Sequence, residues 1–133
     1  MARYMVVSGW RGDKSRPFTN HMGLTPKEEE TVRKAVAAKG SCTVIHGDAS
    51  GVDHVASIVF PCPFAVPAPW NTQHRSIAGP RRNKVMLDLA VNLMSLDHEV
   101  FILAFPHSEF SRGTYDLIRK ARAMGLDVEV HEL

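Results

Sequence analysis

Cysteine is almost absent from this 133-residue chain: only Cys42 and Cys62 occur, far apart and each beside apolar or strand-like residues. Neither has the spacing of a metal site, and two buried free thiols in a reducing compartment are expected in preference to a disulfide between them. An excess of one charge is lacking as well. Lys plus Arg number 16 against 14 Asp plus Glu, a net of +2, too slight to imply a nucleic-acid or membrane partner by itself. No run of about 18 apolar residues occurs, and Met1 to Val7 lack a signal-length apolar core, so no membrane partner and a cytoplasmic location are expected. The seven histidines form no H-x-x-x-H or H-E-x-x-H pair, and His46, His74 and His107 are scattered, so no metal is expected. Neither G-x-G-x-x-G nor G-x-x-x-x-G-K-[ST] is present, which removes the standard dinucleotide fingerprint and the P-loop; no cofactor is expected.

What is present reads as one α/β domain, since a chain of this length buries roughly two-thirds of its unfolded surface. Tyr4 to Ser8 is a short apolar run ending in Ser-Gly, a first strand, and Arg11 to Leu24 then reads as a long loop. Thr25-Pro26-Lys27-Glu28 supplies an N-cap, a proline at the first helical position and a capping box, and Gly40 stops the helix after Lys39. Thr43 to His46 is a second strand, followed by a two-turn helix through Val55 and Val59. Phe64-Ala65-Val66, bracketed by prolines, is a short strand, and Trp70 to Gly79 a loop. Pro80 is expected to open a third helix, carrying Met86, Leu89, Ala90 and Leu93 at helical spacing. Val100 to Phe105, apolar on both faces, is a parallel strand. Thr114 to Met124 is an amphipathic helix stopped by Gly125, with Asp116 and Lys120 as an exposed pair, and Val128 to Glu132 a last strand. The alternation implies a Rossmann-like three-layer sandwich of about five parallel strands with helices on both faces.

In an open parallel sheet, ligands bind beyond the carboxyl ends of the strands, where the strand order reverses. The chemistry-bearing segments fall at those ends: Ser8, Gly9 and Arg11; Gly47, Gly51 and Asp53; Gly79, Pro80, Arg82 and Asn83; Gly113 and Thr114. Three helix starts among them would present free backbone N–H groups to an anion such as a nucleotide phosphate. Taken singly, each glycine is ordinary turn punctuation. Arg82 suits a phosphate through paired N–H groups, and at a helix start it needs an anion to offset the dipole. Trp70 stacks on a base or merely covers the end of the sheet.

These motifs, Ser8-Gly9-Trp10-Arg11, His46 to Asp53, Val66 to Trp70, Ala78-Gly79-Pro80-Arg81-Arg82-Asn83 with Met86, and Gly113-Thr114 after a strand, resemble nearly end to end the YspA-like branch of the superfamily that joins the SMF/DprA proteins to the LOG phosphoribohydrolases. The A-G-P-x-R-N-x-x-M match is the most specific. The resemblance implies a domain that binds a nucleotide or nucleotide-derived ligand, with Arg82 and Asn83 at the pocket and Gly113-Thr114 on phosphate. Asp48 stands where the pattern has glycine, and Pro69 where it has aspartate. The catalytic glutamate of the LOG relatives falls on Leu117, so no catalytic position is filled by motif; Asp53 and Asp116 are the remaining carboxylate candidates, the first otherwise a cap or ligand-orienting group, the second otherwise an exposed helix residue.

Three functions follow in order. A nucleotide-ligand sensor or accessory domain leads. An N-glycoside hydrolase of nucleosides or nucleotides is second, weakened by Leu117. A single-strand nucleic-acid module using Arg75, Arg81, Arg82, Lys84 and Trp70 is third, disfavoured by the slight net charge. A homo-oligomer stands open beside a monomer.

Overall fold

The computed structural model describes residues 2–47, 49–60, 64–65, 75–107 and 111–133, with the side chains of 64–65 and 75–77 set aside. The expectations for Cys62 and Trp70 lie outside these residues. The elements run β1 (Arg3–Gly9), α1 (Pro26–Ala37), β2 (Thr43–His46), α2 (Val52–Val59), β3 (Phe64–Ala65), α3 (Arg75–Ser95), β4 (Glu99–Phe105), α4 (Arg112–Ala123) and β5 (Glu129–Val130). All strands are parallel, in the order β3-β2-β1-β4-β5. The sheet is carried by β1, β2 and β4, because β3 and β5 have two residues each, so the expected five-strand sheet is cut back at both edges. The chain moves outward from β1 through β2 and β3, then returns to the other side of β1, which puts the reversal between β1 and β4.

Strand residues alternate between two apolar layers. Met5, Val7, Leu103 and Phe105 pack with Val32 and Val36 of α1 and with Val52, Val55 and Ala56 of α2. Val6, Ile45 and Ile102 pack on the opposite face with Met86, Leu87 and Ala90 of α3 and Leu117 and Ala121 of α4. Burial on both faces is why these strands are apolar throughout rather than alternating.

Local signals set most boundaries. Thr25 Oγ1 accepts from the Glu28 N–H at 3.2 Å while Glu28 Oε1 accepts from the Thr25 N–H at 2.8 Å, a complete capping box at the start of α1. The loop before it is tied down. Asn20 Oδ1 accepts from the Met22 and Leu24 N–H groups, and Arg16 Nη2 reaches Glu28 Oε1 at 2.7 Å and the Gly23 carbonyl at 3.1 Å.

Pro80 does not open α3. The helix begins at Arg75 and holds the proline inside it. Ala78 and Gly79 are buried, and a buried backbone must pair its own N–H and C=O groups, which a helical turn does and a loop would not. Proline lacks one donor, and the 21-residue helix tolerates that loss one and a half turns from its start.

Candidate functional site

Ser8 and Gly9 are the last residues of β1 rather than a turn after it, and Ser8 is buried. Trp10, one residue beyond, donates its backbone N–H to the Phe105 carbonyl at 3.0 Å, joining the ends of β1 and β4 at the reversal. Its ring is 6% exposed, lies 4.3 Å from the His107 ring and carries the Arg16 guanidinium 4.3 Å from its centroid. The edge where a ligand would approach is therefore lined on this side by a buried indole. The sequence offers Trp10 only as a member of the Ser8-Gly9-Trp10-Arg11 motif; its place immediately after the first strand is the available signal, and nothing local announces Arg16 or His107 as partners.

Of the three helix starts expected to face an anion, one has first-turn N–H groups that meet no acceptor among the described residues. The first N–H of α2, on Val52, is already taken by the Trp10 carbonyl at 3.0 Å, and Asp53 brings a carboxylate into that turn. The α3 start lies upstream of the Pro80 motif, so Arg82 does not confront a helix N-terminus. At α4, Ser111 takes the N-cap place without a side-chain cap, and its hydroxyl accepts instead from the His107 N–H at 2.7 Å. Gly113 sits in that first turn with open space where a side chain would be, and Thr114 beside it is buried. The first turn of a helix leaves its N–H groups without intrahelical acceptors.

Gly9, Gly47 and Gly51 serve packing. A side chain at Gly9 would overlap Val52, and at Gly51, which holds a φ of +71°, it would overlap the Arg11 and Trp10 backbone. At Gly47 the occupant is the Arg82 guanidinium, close enough that a methyl group would displace it.

Arg82 is the hub. Nη1 donates to the Gly47 carbonyl at 2.7 Å and Nε to Asn83 Oδ1 at 3.2 Å, while Nη2 has no acceptor among the described residues. Arg81, its neighbour, is exposed. Asn83 is fully buried and spends its amide on structure: Nδ2 donates to the Gly113 carbonyl at 2.9 Å and to Asp116 Oδ2 at 3.0 Å. It holds Arg82 and the first turn of α4 in one register. Arg11 is exposed, and its carbonyl accepts from the Ser50 hydroxyl at 2.9 Å.

The carboxylate candidates separate. Asp116 is not an exposed helix residue; its side chain is 18% exposed and answers Asn83, Lys120 Nζ at 2.9 Å and Arg119 at 3.6 Å. Lys120 also donates to the Pro80 carbonyl at 3.0 Å, so the pair locks α3 to α4. Leu117, at the position of the glutamate in the resembled hydrolases, is fully buried in the core. Asp53 is buried, with Oδ2 accepting from the Gly47 N–H at 3.0 Å and the Ala49 N–H at 3.3 Å. Burial pushes its carboxyl up to about 6, against the opposing pull of Arg82, those two N–H groups and Arg11. Burial likewise lowers Arg82, with Asp53 opposing and Arg11 reinforcing the shift.

Comparisons with protein-family models, curated proteins and solved structures return no match. No group of three metal-ligating side chains occurs among the described residues, and no described helix is long and apolar enough to cross a membrane. Chemically, the arrangement can hold an anion: a guanidinium fixed at two nitrogens with a third to offer, linked through Asn83 to an open helix start.

Proposed function

We propose that this chain is a Rossmann-like nucleotide-binding domain of the kind its motifs resemble, acting as a sensor or accessory protein. The observation that carries this reading is Arg82, pinned by Gly47 and Asn83 beside the first turn of α4 and left with Nη2 for a ligand. A guanidinium that is preorganised and partly desolvated binds phosphate with little rotamer entropy left to lose. The 3-2-1-4-5 strand order supports the reading, because it gathers the ends of β1, β2 and β4 with the α4 start at one edge of the sheet. Ser8, Gly9 and Gly51 then shape the backbone around the ligand rather than touch it, and Asn83 acts as a positioning residue.

The hydrolase reading ranks second on one observation: Asp53, raised to about 6, titrates near neutrality, where a proton-transfer group is most effective. The buried Leu117 weighs against it. A thermal-stability screen with nucleoside mono- and diphosphates, ADP-ribose and cyclic nucleotides tests the binding reading. A true ligand at ~100 times its dissociation constant adds about 2.7 kcal/mol. Stabilisation by none of them, with salt-sensitive binding of short single strands instead, would replace this reading by the nucleic-acid one. Release of free base at about 1 per second or faster would replace it by the hydrolase.

A further inference from the structure

A buried carboxylate normally has donors on both oxygens, because an unanswered buried acceptor is costly. Asp53, at 3% exposure, has them on one oxygen only. Oδ2 receives the Gly47 and Ala49 N–H groups, whereas Oδ1 is buried and meets no donor among the described residues. Arg82 does not supply one: Nε and Nη1 are bonded to Asn83 and Gly47, and Nη2 makes no hydrogen bond to Oδ1.

Gly47 gives the spacing. Its N–H goes to Asp53 and its carbonyl takes Arg82, so the carboxylate and the guanidinium flank a single residue. A ligand reaching both must present an anion to Arg82 and a hydrogen-bond donor to Oδ1 within a few bonds of each other. A doubly ionised phosphate monoester cannot do this through its phosphate alone, because that group then offers only acceptors and repels the carboxylate. An ammonium group is not called for, because Asp53 already feels the positive charges of Arg82 and Arg11. A neutral hydroxyl is the fitting donor.

We propose that Asp53 Oδ1 accepts a hydrogen bond from a hydroxyl of the ligand whose phosphate Arg82 holds, so that the site takes a phosphorylated sugar and Asp53 sets its preference over phosphates without hydroxyls. This rests on the reading that Arg82 holds phosphate. The hydroxyl gives up no proton; it exchanges a water acceptor for a fixed one in a dry setting. At pH 8 the carboxyl is ionised and therefore acts only as an acceptor.

Calorimetric titration at pH 8 with ribose 5-phosphate and with ethyl phosphate, a monoester of like charge and no hydroxyl, tests it. The native protein is expected to bind the sugar phosphate at least about tenfold more tightly, the worth of one charge-assisted hydrogen bond. In Asp53→Asn the amide must turn its oxygen to the Gly47 and Ala49 N–H groups, placing NH2 where Oδ1 was. The preference should then fall by about tenfold while ethyl phosphate binds as well as before or better, a negative charge having been removed. Equal binding of the two probes by the native protein, or an unchanged preference in Asp53→Asn, overturns the assignment while leaving phosphate binding standing. Binding of neither probe overturns both. If Asp53→Asn does not fold, the native comparison decides, and Arg82→Ala, which should weaken both probes alike, separates loss of the phosphate grip from loss of the hydroxyl contact.

Discussion

Replacing Asp53 with Asn should stabilise the protein increasingly as pH rises, the opposite of what loss of an ordinary surface carboxylate does. The carboxyl titrates near its usual value of 3.8 when unfolded and near about 6 when folded, because burial outweighs Arg82 and the two backbone donors. The folded state thus holds the proton more tightly. Below pH 3.8 both states are protonated and Asp53 costs nothing; between 3.8 and about 6 the unfolded state ionises first and stability is lost; above 6 the full penalty stands. Two pH units and a little more, at 1.36 kcal/mol each, give about 3 kcal/mol in all. Some 2 kcal/mol of that, on the order of two-thirds, falls between pH 4.5 and 7.5.

Asparagine has no charge to titrate, so every other group cancels when the two proteins are compared at each pH. Thermal melts without phosphate in the buffer should show the difference, variant minus native, rising by roughly 8 °C from pH 4.5 to 7.5 for a domain of this size. Any fixed cost of seating the amide shifts the whole curve and leaves its slope alone. A flat difference would mean that Arg82 and the N–H groups fully compensate the buried charge. A falling one would mean that the carboxylate is stabilised in the fold, and the account of Asp53 as an acid kept at a stability cost would be wrong.

That cost is not legible in the sequence, although the elements that create it are. β2 occupies the Thr43 to His46 segment read from its apolar run, and α1 starts where the Thr25 and Glu28 pair says it must, because both signals are completed within a few residues. Pro80 misleads for the same reason. Proline fits the first turn of a helix by local rules, and only the burial of Ala78 and Gly79 against the rest of the fold extends α3 upstream. The hub of the site depends on contacts across 35 residues, from Arg82 to Gly47, and across 30, from Asn83 to Gly113. The motifs single out all four positions for the ligand, but not that Asn83 and Gly47 bond Arg82. The place of the Trp10 indole is not legible locally, because its partners come from the β1–α1 loop and from beyond the end of β4.

Asn83→Ala should destabilise the domain by about 1 to 3 kcal/mol in urea unfolding, since it strips a buried partner from the Gly113 carbonyl, Asp116 and Arg82 at once; a loss below about 0.5 kcal/mol would show that water replaces the amide freely. Cys42 is buried and its thiol is pushed up chiefly by that burial, so a thiol reagent at pH 8 should label it only on unfolding; rapid native labelling of Cys42, identified by peptide mapping, would contradict its packing. Arg82 gives the sharpest contrast. If Nη2 grips a phosphate, Arg82→Ala should cost ~1.5 to 3 kcal/mol of affinity for the best nucleotide of the screen, about 10- to 150-fold, whereas Arg81→Ala removes the same charge from an exposed neighbour and should cost less than about threefold. Gly47→Ala removes no charge at all. Its methyl group would occupy the place of the guanidinium, so it should reproduce most of the Arg82→Ala loss if position rather than charge is what Arg82 contributes. Equal losses for Arg81→Ala and Arg82→Ala, with Gly47→Ala binding normally, would assign the affinity to diffuse electrostatics and take Arg82 out of the site.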